Sequence, residues 1–248
     1  MRATVNLLGL DSSGEYCSVA LLRGEALSER HFAAGQSHAE RLLPAVHELL
    51  AGAGISLAQL DGVAFGEGPG SFTGLRIACG VAQGLAWPRG LPLVGVSTLA
   101  AIAQSCGAAR VLAAIDARMG GVYQAAYERS GDGWREAVAA VLCQPQDAPH
   151  PEGEGWTGCG SGFAAHEAAL RARHGHRLAA VDADHQPRAS AILALARPRF
   201  ASGDVVAAAQ ALPVYLRDKV ALTSRERASG AASGPAAGAA SGSGKVLQ

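Results

Sequence analysis

The first part of the chain consists of short apolar runs separated by turns, a pattern typical of β-strands. In VNLLGLDSSGEYCSVALLRGEALSERHFA, an apolar run covers residues 7–10 and Gly14 marks a turn. A second strand is predicted at residues 16–22, and a third follows it. The chain is therefore predicted to open with three successive strands.

The apolar positions of the next segment recur three and four residues apart. In SHAERLLPAVHELLAGAG this spacing predicts a helix over residues 37–50. Ser37 is the expected N-cap, because Glu40 lies three residues further on and would complete a capping box. Pro44 is expected to dent this helix.

The segment GEGPGSFTGLRIACGVAQGLA, residues 66–86, joins a glycine-rich turn to a long uncharged stretch. It is not a P-loop, because no lysine follows the glycines. It is not a dinucleotide-binding fingerprint, because no acidic residue lies between Glu67 and Asp116 to hold a ribose. It is not a nucleophile elbow, because Pro69 stands where that motif has glycine, two residues before Ser71.

Two interpretations of this turn stay open. The backbone amides of residues 71–73 would favour an anion at the start of a helix, although the carboxylate of Glu67 would repel phosphate. Alternatively, the side chain of Ser71 or Thr73 simply caps the helix.

The helix predicted after the turn carries no charge over residues 77–87. A helix that is apolar all round is buried on more than one side. Ala78 and Ala82, and likewise Gly80 and Gly84, are four residues apart and would let a second helix approach closely. That second helix is the one predicted at residues 37–50, a helix of a partner, or both, and we expect the two helices to dock as a pair onto an equivalent pair.

Two strands of the sequence resemble each other at a spacing of 105 residues. LLGLD ends in Asp11 and LAAID ends in Asp116, and each is followed by a turn and another strand. The repeat predicts two related lobes, with chance similarity of short apolar runs as the alternative. Facing each other across a cleft, Asp11 and Asp116 could position a metal–nucleotide; each could equally cap a turn.

The later part of the chain has a weaker pattern. WTGCGSGFAAHEAALRARHG predicts a strand, a glycine turn and a helix, PRASAILALARPRFASGD predicts a helix that ends near Gly203, and ALPVYLRD predicts a last short strand. From Ala228 onward no large apolar residue occurs before the last few positions, which predicts disorder. The predicted domains are an N-terminal lobe at residues 1–105 with partner-docking helices, a C-terminal lobe at 106–222 and a disordered tail at 223–248.

Composition excludes several classes of protein. The 248 residues are 49% hydrophobic and balance 21 basic against 21 acidic residues, which argues against a dedicated nucleic-acid binder. The basic cluster at residues 171–177 is interpreted as a solvated helix end. No apolar run reaches the roughly 18–20 residues of a membrane span and no leader precedes the first strand, so a cytoplasmic location is predicted.

The cysteines and histidines indicate neither a disulfide framework nor a metal site. The five cysteines form no C-x-x-C pair, which predicts reduced and mostly buried thiols. None of the eight histidines is part of an H-x-x-x-H motif, so no metal site is predicted.

Five segments carry a family resemblance over residues 7–218: LLGLDSSGEYCSVAL, GPGSFTGLRIACGVAQGLA, GVSTL, VLAAIDARMGGVY and PVYLRD. Together they resemble the TsaB (YeaZ) family. The resemblance implies an α/β protein with a duplicated actin-like or sugar-kinase-like fold, whose two lobes each hold a mixed sheet and helices. It also implies a role in making threonylcarbamoyladenosine next to the anticodon of tRNAs that read codons starting with A.

The resemblance further implies a non-catalytic subunit that needs no cofactor. Its partners would be the catalytic paralogue TsaD, the ATPase TsaE through the complex, and a second copy of itself, with tRNA contacted only indirectly and no membrane. Partner contacts, transferred to this sequence, fall on His38, Arg41, Leu42, Ala45, Leu49, Phe72, Leu75, Arg76, Cys79, Ala82, Gln83 and Ala86. Weak nucleotide binding stays an alternative, with phosphate contacts at Asp11, Ser12, Gly68, Gly70, Ser71 and Asp116.

Two rival functions belong to other classes. A nucleotide-dependent phosphotransferase of the actin-like superfamily would use Asp11 and Asp116 at the phosphates. A metallopeptidase is disfavoured, because the histidine pair that it needs is missing from the sequence.

Overall fold

Two five-stranded sheets are built from successive halves of the chain. The computed structural model describes residues 5–35, 37–131 and 133–217, so the predicted tail at 223–248 lies outside the described residues. The elements of the first half are β1 (Asn6–Asp11), β2 (Tyr16–Arg23), β3 (Ala26–Ala33), α1 (His38–Gly52), β4 (Gly62–Gly68), α2 (Phe72–Ala86), β5 (Leu93–Ser97) and α3 (Thr98–Cys106). Those of the second half are β6 (Arg110–Asp116), β7 (Val122–Ser130), β8 (Gly133–Cys143), β9 (Trp156–Cys159), α4 (Ser161–His174), β10 (Leu178–Asp182) and α5 (Ala189–Ser202).

The second sheet repeats the topology of the first. The strand orders are β3-β2-β1-β4-β5 and β8-β7-β6-β9-β10. In each sheet the first strand pairs antiparallel with the second and parallel with the fourth. Asp11 and Asp116 therefore end equivalent strands, as the sequence repeat predicts, and the duplicated two-lobe α/β fold of the actin-like and sugar-kinase-like type is confirmed. At the position equivalent to α1, between β8 and β9, the described residues of the second half form only a short 3-10 helix, Pro145–Asp147, and no α-helix.

The helices and sheets form five layers. Helices α1 and α2 cover one face of the first sheet, where Leu42 and Ala82 pack with Leu8. Helix α4 covers the outer face of the second sheet. Helices α3 and α5 lie between the sheets, and each packs on the sheet of the other half. Because these two helices cross over, neither lobe is a continuous stretch of chain, and the domain boundary at residue 105 stays a prediction.

Local sequence signals account for most of the helix ends. The helix predicted after the glycine turn is α2, and its N-cap is Ser71, whose Oγ accepts a hydrogen bond from the amide of Gly74 at 3.3 Å. Helix α5 ends where Gly203 adopts a left-handed conformation with φ of 77°, a geometry that glycine tolerates without strain. The capping interpretation of the turn is thus confirmed at Ser71.

The predicted capping of α1 is wrong. Ser37 does precede α1, but its side chain makes no capping hydrogen bond. The reason is its backbone conformation, φ −99° and ψ 27°, which is not the extended geometry that aims an N-cap oxygen at the first turn. Pro44 lies on the exposed side of α1, and the helix continues through it.

Two elements were not predicted and one prediction is wrong. The sequence analysis missed α3 and β10. The segment predicted as a last strand forms no sheet over residues 211–217, and Asp218 lies outside the described residues. At and just before its start, a side chain satisfies the backbone carbonyls: Gln83 Nε2 donates to those of Ala208 and Ala211 at 3.1 and 2.9 Å.

In the described ranges, no helix is both long enough and apolar enough to cross a membrane.

Candidate functional site

A cleft of about 760 Å³ lies between the lobes, at the carboxyl ends of β1, β4 and β6. This edge of an α/β sheet is where ligands commonly bind, because the loops after the strands converge there. The turn after β1 contributes Ser13 to Glu15, the turn before α2 contributes Gly70 and Ser71, and the turn after β6 contributes Asp116 and Arg118.

Only half of the predicted phosphate contacts line this cleft. Gly70, Ser71 and Asp116 do so, whereas Asp11, Ser12 and Gly68 are not among the lining residues. The hydroxyl of Ser12 donates to the carbonyl of Gly74 at 2.7 Å and is buried. Gly68 packs against the backbone of Val214, since a Cβ at Gly68 would lie 2.5 Å from the carbonyl oxygen of Val214.

The carboxyl group of Asp11 is buried below the cleft. Its Oδ1 accepts hydrogen bonds from the amide and the hydroxyl of Ser13, at 3.1 and 2.9 Å. Its Oδ2 lies against Gly66, where an added Cβ would be only 2.1 Å away, and has no hydrogen-bond partner among the described residues. Burial raises the pKa of Asp11 and the hydrogen bonds from Ser13 lower it; burial has the larger effect, so the pKa is about 6. This geometry is that of a residue capping a turn.

We expect Asp11→Asn to stabilise the chain increasingly as the pH rises. The folded-state pKa of Asp11 is raised from 3.8 to about 6. The buried carboxyl therefore contributes its full stability only below about pH 4, where it is protonated, and this contribution is lost as the pH rises from about 4 through about 6. Asparagine keeps the acceptor for Ser13 and removes the charge. Urea unfolding between pH 4 and 7.5 should show the difference in free energy of unfolding moving in favour of Asp11→Asn by roughly 2–3 kcal/mol. A difference that is constant with pH would contradict the buried-carboxylate account.

Asp116 occupies the equivalent position but faces the cleft, where it already has partners. Its Oδ1 accepts from the amide of Arg118 at 2.9 Å, and its Oδ2 lies 3.2 Å from the guanidinium of the same residue. That guanidinium also lies 3.7 Å from Glu15 of the other lobe. Arg118 and Met119 have left-handed backbones, with φ of 60° and 54°, which is strained for residues other than glycine. Arg118 thus bridges the mouth of the cleft.

The end of the described chain, residues 214–217, also runs along the cleft. The hydroxyl of Tyr215 accepts a hydrogen bond from Arg76 Nε at 3.0 Å in the first lobe. Arg217 Nη2 donates to the carbonyl of Ala117 at 3.1 Å in the second lobe. This segment therefore connects the two lobes. Sequence reasoning missed it, as it missed Arg118, because these contacts join residues roughly 100 positions or more apart.

The expected repulsion of phosphate by Glu67 is wrong. Its carboxylate does not line the cleft but packs on Gly95 of β5, where an added Cβ would lie 2.1 Å from Oε2. Burial raises the pKa of Glu67, and the nearby Arg199 opposes that shift. The carboxylate can lie over β5 because Gly95 has no side chain to occupy that space.

A second candidate site is the outer surface of α1 and α2, and here the predicted contacts need correction. Seven of the twelve residues predicted to contact a partner are buried in the core of this chain: Leu42, Ala45, Leu49, Leu75, Cys79, Ala82 and Ala86. A partner cannot reach them while this fold is kept. The other five remain accessible in part, namely His38, Arg41, Phe72, Arg76 and Gln83.

These five residues also make contacts within the chain. His38 Nε2 is 2.9 Å from the carbonyl oxygen of Gly14, beside the cleft. The guanidinium of Arg41 stacks over the ring of Phe32 at 4.4 Å, and that of Arg76 stacks over Phe72 at 3.8 Å.

The small residues of α2 divide between its two faces. Ala78 and Ala82 lie on the sheet and are fully buried. Gly80 and Gly84 face outward, and a Cβ at either would meet no atom of the described residues within 4 Å. We call the outward set the glycine face of α2; it comprises Thr73, Arg76, Ile77, Gly80 and Gly84. Trp87 follows at its end and is 66% exposed.

Comparison with known proteins decides the family. A family model described as TsaD: tRNA N6-adenosine threonylcarbamoyltransferase matches residues 32–224. The tRNA threonylcarbamoyladenosine biosynthesis protein TsaB of Escherichia coli is 40% identical over 231 residues, which cover 88% of this chain and 96% of that protein. The chain belongs to the TsaB (YeaZ) family.

Two further relatives agree with this membership. TsaB of Haemophilus influenzae is 39% identical over 231 residues, covering 87% of this chain and 95% of that protein. The structure of YeaZ from Pseudomonas aeruginosa superposes with a TM-score of 0.80 and 43% identity, over 86% of this chain and all of that one. The family resemblance of the sequence motifs is therefore confirmed.

One group of side chains outside the cleft, Ser105, His185 and Asp182, has the residue types of a hydrolase's serine–histidine–aspartate triad. Ser105 Oγ lies 2.8 Å from His185 Nε2, and His185 Nδ1 lies 3.0 Å from Asp182 Oδ2. However, the hydroxyl of Ser105 also donates to the carbonyl of Ala101 at 2.9 Å, and Ser105 does not line the cleft.

Within the described ranges, no three His, Cys, Asp or Glu side chains are grouped to hold a metal ion.

Proposed function

We propose that this chain is a non-catalytic scaffold subunit in tRNA threonylcarbamoyladenosine biosynthesis. In this proposal it binds a TsaD paralogue through α1 and the glycine face of α2. The pathway is supported by the relatives named TsaB, which match most of the chain. The reaction served would be threonylcarbamoylation of the adenosine next to the anticodon, in tRNAs that read codons starting with A, in the cytoplasm.

The observation that carries the proposal is the open space beside Gly80 and Gly84. Glycine inside a helix costs roughly 0.5–1 kcal/mol relative to alanine. Neither glycine has a positive φ, and neither has a neighbour that a methyl group would strike. Nothing within the described part of the chain therefore requires glycine at these positions, whereas a closely approaching helix of another molecule would.

Large exposed apolar side chains also lie on α1 and directly after α2. Trp87 at the end of α2 is 66% exposed, and Leu43 on α1 is 40% exposed. Both helices lie in the outer layer of the first lobe, and α1 is the helix that the second lobe lacks. In the proposed complex the partner would cover these exposed apolar side chains. The same face would serve a homodimer, so self-association and binding of TsaD would compete.

The arrangement of the cleft supports a non-catalytic role. The carboxylate of Asp116 is engaged by Arg118, and that of Asp11 is buried below the cleft. A phosphotransferase of this superfamily would need both groups at the phosphates. Contact with tRNA and with TsaE is proposed to occur only through the complex. Consistent with this, Arg171 of the basic cluster is paired with Glu167, and Arg173 donates to a backbone carbonyl.

The deciding experiment is size-exclusion chromatography with light scattering. The chain is measured alone and then mixed with the TsaD paralogue of the same organism. A one-to-one complex that replaces the homodimer supports the scaffold role. Failure to associate, even with nucleotide and TsaE present, overturns it and favours the phosphotransferase, which is then tested by ATP turnover.

We expect Asp116→Asn to leave the formation of threonylcarbamoyladenosine by the assembled complex within about twofold of wild type. The amide keeps an oxygen for the amide of Arg118 and removes only the charge that a phosphotransferase would use. The modified nucleoside is quantified by mass spectrometry after digestion of the tRNA. Loss of modification by a variant that still assembles would show that the cleft performs chemistry.

A further inference from the structure

Two cysteines distant in sequence lie side by side between the lobes. Cys106 is the last residue of α3, and Cys159 is the last residue of β9. Their Sγ atoms are 2.8 Å apart, and both are free thiols. The two sulfurs need to approach by less than 1 Å to reach the bond length of a disulfide. This pairing is the main feature that the spacing of the cysteines in the sequence did not predict.

The surroundings of the pair differ for the two sulfurs. Cys106 is partly exposed and Cys159 is fully buried, so an oxidant in solution reaches Cys106 first. The thiol of Cys159 donates to the sulfur of Cys106, which lowers the pKa of Cys106 and raises that of Cys159. The ring of His185, hydrogen-bonded to Ser105 beside Cys106, favours the thiolate when it is protonated, whereas Asp182 opposes it.

We propose that Cys106 and Cys159 are a peroxide-sensitive dithiol that closes to an intramolecular disulfide. Cys106 is the sulfur that reacts first, and Cys159 resolves the product. This inference does not depend on the proposed function, because it rests on contacts within the chain.

The reaction balances with a peroxide as oxidant. The thiolate of Cys106 attacks one oxygen of hydrogen peroxide, the O–O bond breaks, and the sulfur becomes a sulfenic acid while the leaving hydroxide takes a proton to form water. The sulfur of Cys159 then attacks the sulfenic sulfur, loses its proton, and displaces a second water. Two thiols are thus oxidised by two electrons and one peroxide is reduced to two waters.

The bond would constrain the middle of the fold. It would tie the end of α3, which comes from the first half of the chain, to a strand of the second sheet. Cys159 is followed two residues later by Ser161, which lines the cleft and whose Oγ accepts from the amide of Asp116 at 3.2 Å. Closing a loop of this length is expected to raise the Tm by roughly 5–10 °C.

The test is peptide mapping of the full chain after exposure to hydrogen peroxide, under non-reducing conditions. Trypsin leaves Cys106 in residues 90–110, but it leaves Cys143 and Cys159 together in residues 136–171. Cys143→Ser therefore serves as the control background, in which a cross-link between these two peptides can only be 106–159. We expect this cross-link in wild type and in Cys143→Ser, formed roughly tenfold faster than oxidation of the buried Cys17 and Cys79.

Two variants separate the steps of the proposal. In Cys159→Ala the sulfenic acid of Cys106 cannot be resolved, so labelling of Cys106 by dimedone should rise. In Cys106→Ala no disulfide forms at Cys159, and the peroxide-dependent rise in Tm disappears. The proposal is overturned if Cys106 and Cys159 oxidise no faster than Cys17 and Cys79, or if Cys106 forms only disulfides between molecules.

Discussion

Gly84→Arg is expected to weaken binding of a TsaD paralogue by roughly 100-fold or more while the chain stays folded. Gly84 lies at the C-terminal end of the glycine face of α2, next to the exposed Trp87, and in the proposed complex the space beside it is filled by the partner. In a complex, the arginine would hold the helices apart or leave a charge buried without a partner, at a cost of about 3 kcal/mol or more. Binding is measured by titration calorimetry and folding by thermal unfolding.

Two controls make this test specific to the surface. Ala168→Arg places the same charge on an exposed position of α4, in the outer layer of the other lobe, and should leave binding unchanged. Gly84→Ala should weaken binding by a smaller factor even though it favours the helix. If Gly84→Arg binds like wild type, the proposed interface is in the wrong place, and α1 alone or another face must carry the contact.

Gly74→Ala and Gly84→Ala should change stability in opposite directions, although both glycines lie in α2. Helix propensity alone predicts that each substitution stabilises by about 1 kcal/mol. At Gly84 the methyl group meets open space, so that gain is kept. At Gly74 a Cβ would lie 1.8 Å from the carbonyl oxygen of Ser12, so the helix or the turn after β1 must move. We expect Gly74→Ala to destabilise by roughly 3 kcal/mol, lowering the Tm by roughly 6–12 °C.

The measurement is urea unfolding of both variants beside the wild type, in the same buffer. Gly80→Ala provides a second exposed comparison, since its surroundings are equally open. If Gly74→Ala proves as stable as Gly84→Ala, the close packing of α2 on the turn after β1 does not hold. If both exposed variants are destabilised, the glycines have a role within the chain and the argument for a partner is lost.

The candidate sites were predictable only in part. The sequence placed the glycine turn and the two outer helices correctly, and it offered Ser71 as one of two candidate caps, because each of these features depends on a few neighbouring residues. It did not reveal which row of small residues on α2 faces the sheet. Ala82 and Gly84 are both small and two positions apart, and no charged residue within residues 77–87 marks the side that faces solvent. Four of the seven predicted partner contacts that lie in the core are on α2, and the other three are on α1.

The same limit applies to the two aspartates that end the repeated strands. The repeat itself is visible in LLGLD and LAAID, and it correctly predicts equivalent strands. Whether the carboxylate faces the cleft depends on what packs around it. Gly66 admits the Asp11 side chain into the interior, whereas Asp116 is held at the cleft by Arg118. Gly66 reaches Asp11 only through the tertiary fold, whereas Arg118 lies two residues after Asp116 and contacts it within the same turn.

What the sequence determined by itself was the order of most of the strands and helices, the duplication, and the absence of P-loop and H-x-x-x-H motifs. These features depend on periodicity, turn residues and motifs within short windows of chain. Only the tertiary structure decided that α3 and α5 exchange sheets, that the glycine face of α2 is left open, and that Cys106 meets Cys159. Contacts between residues 50 or 100 positions apart arise from packing of whole elements, and no local pattern encodes them.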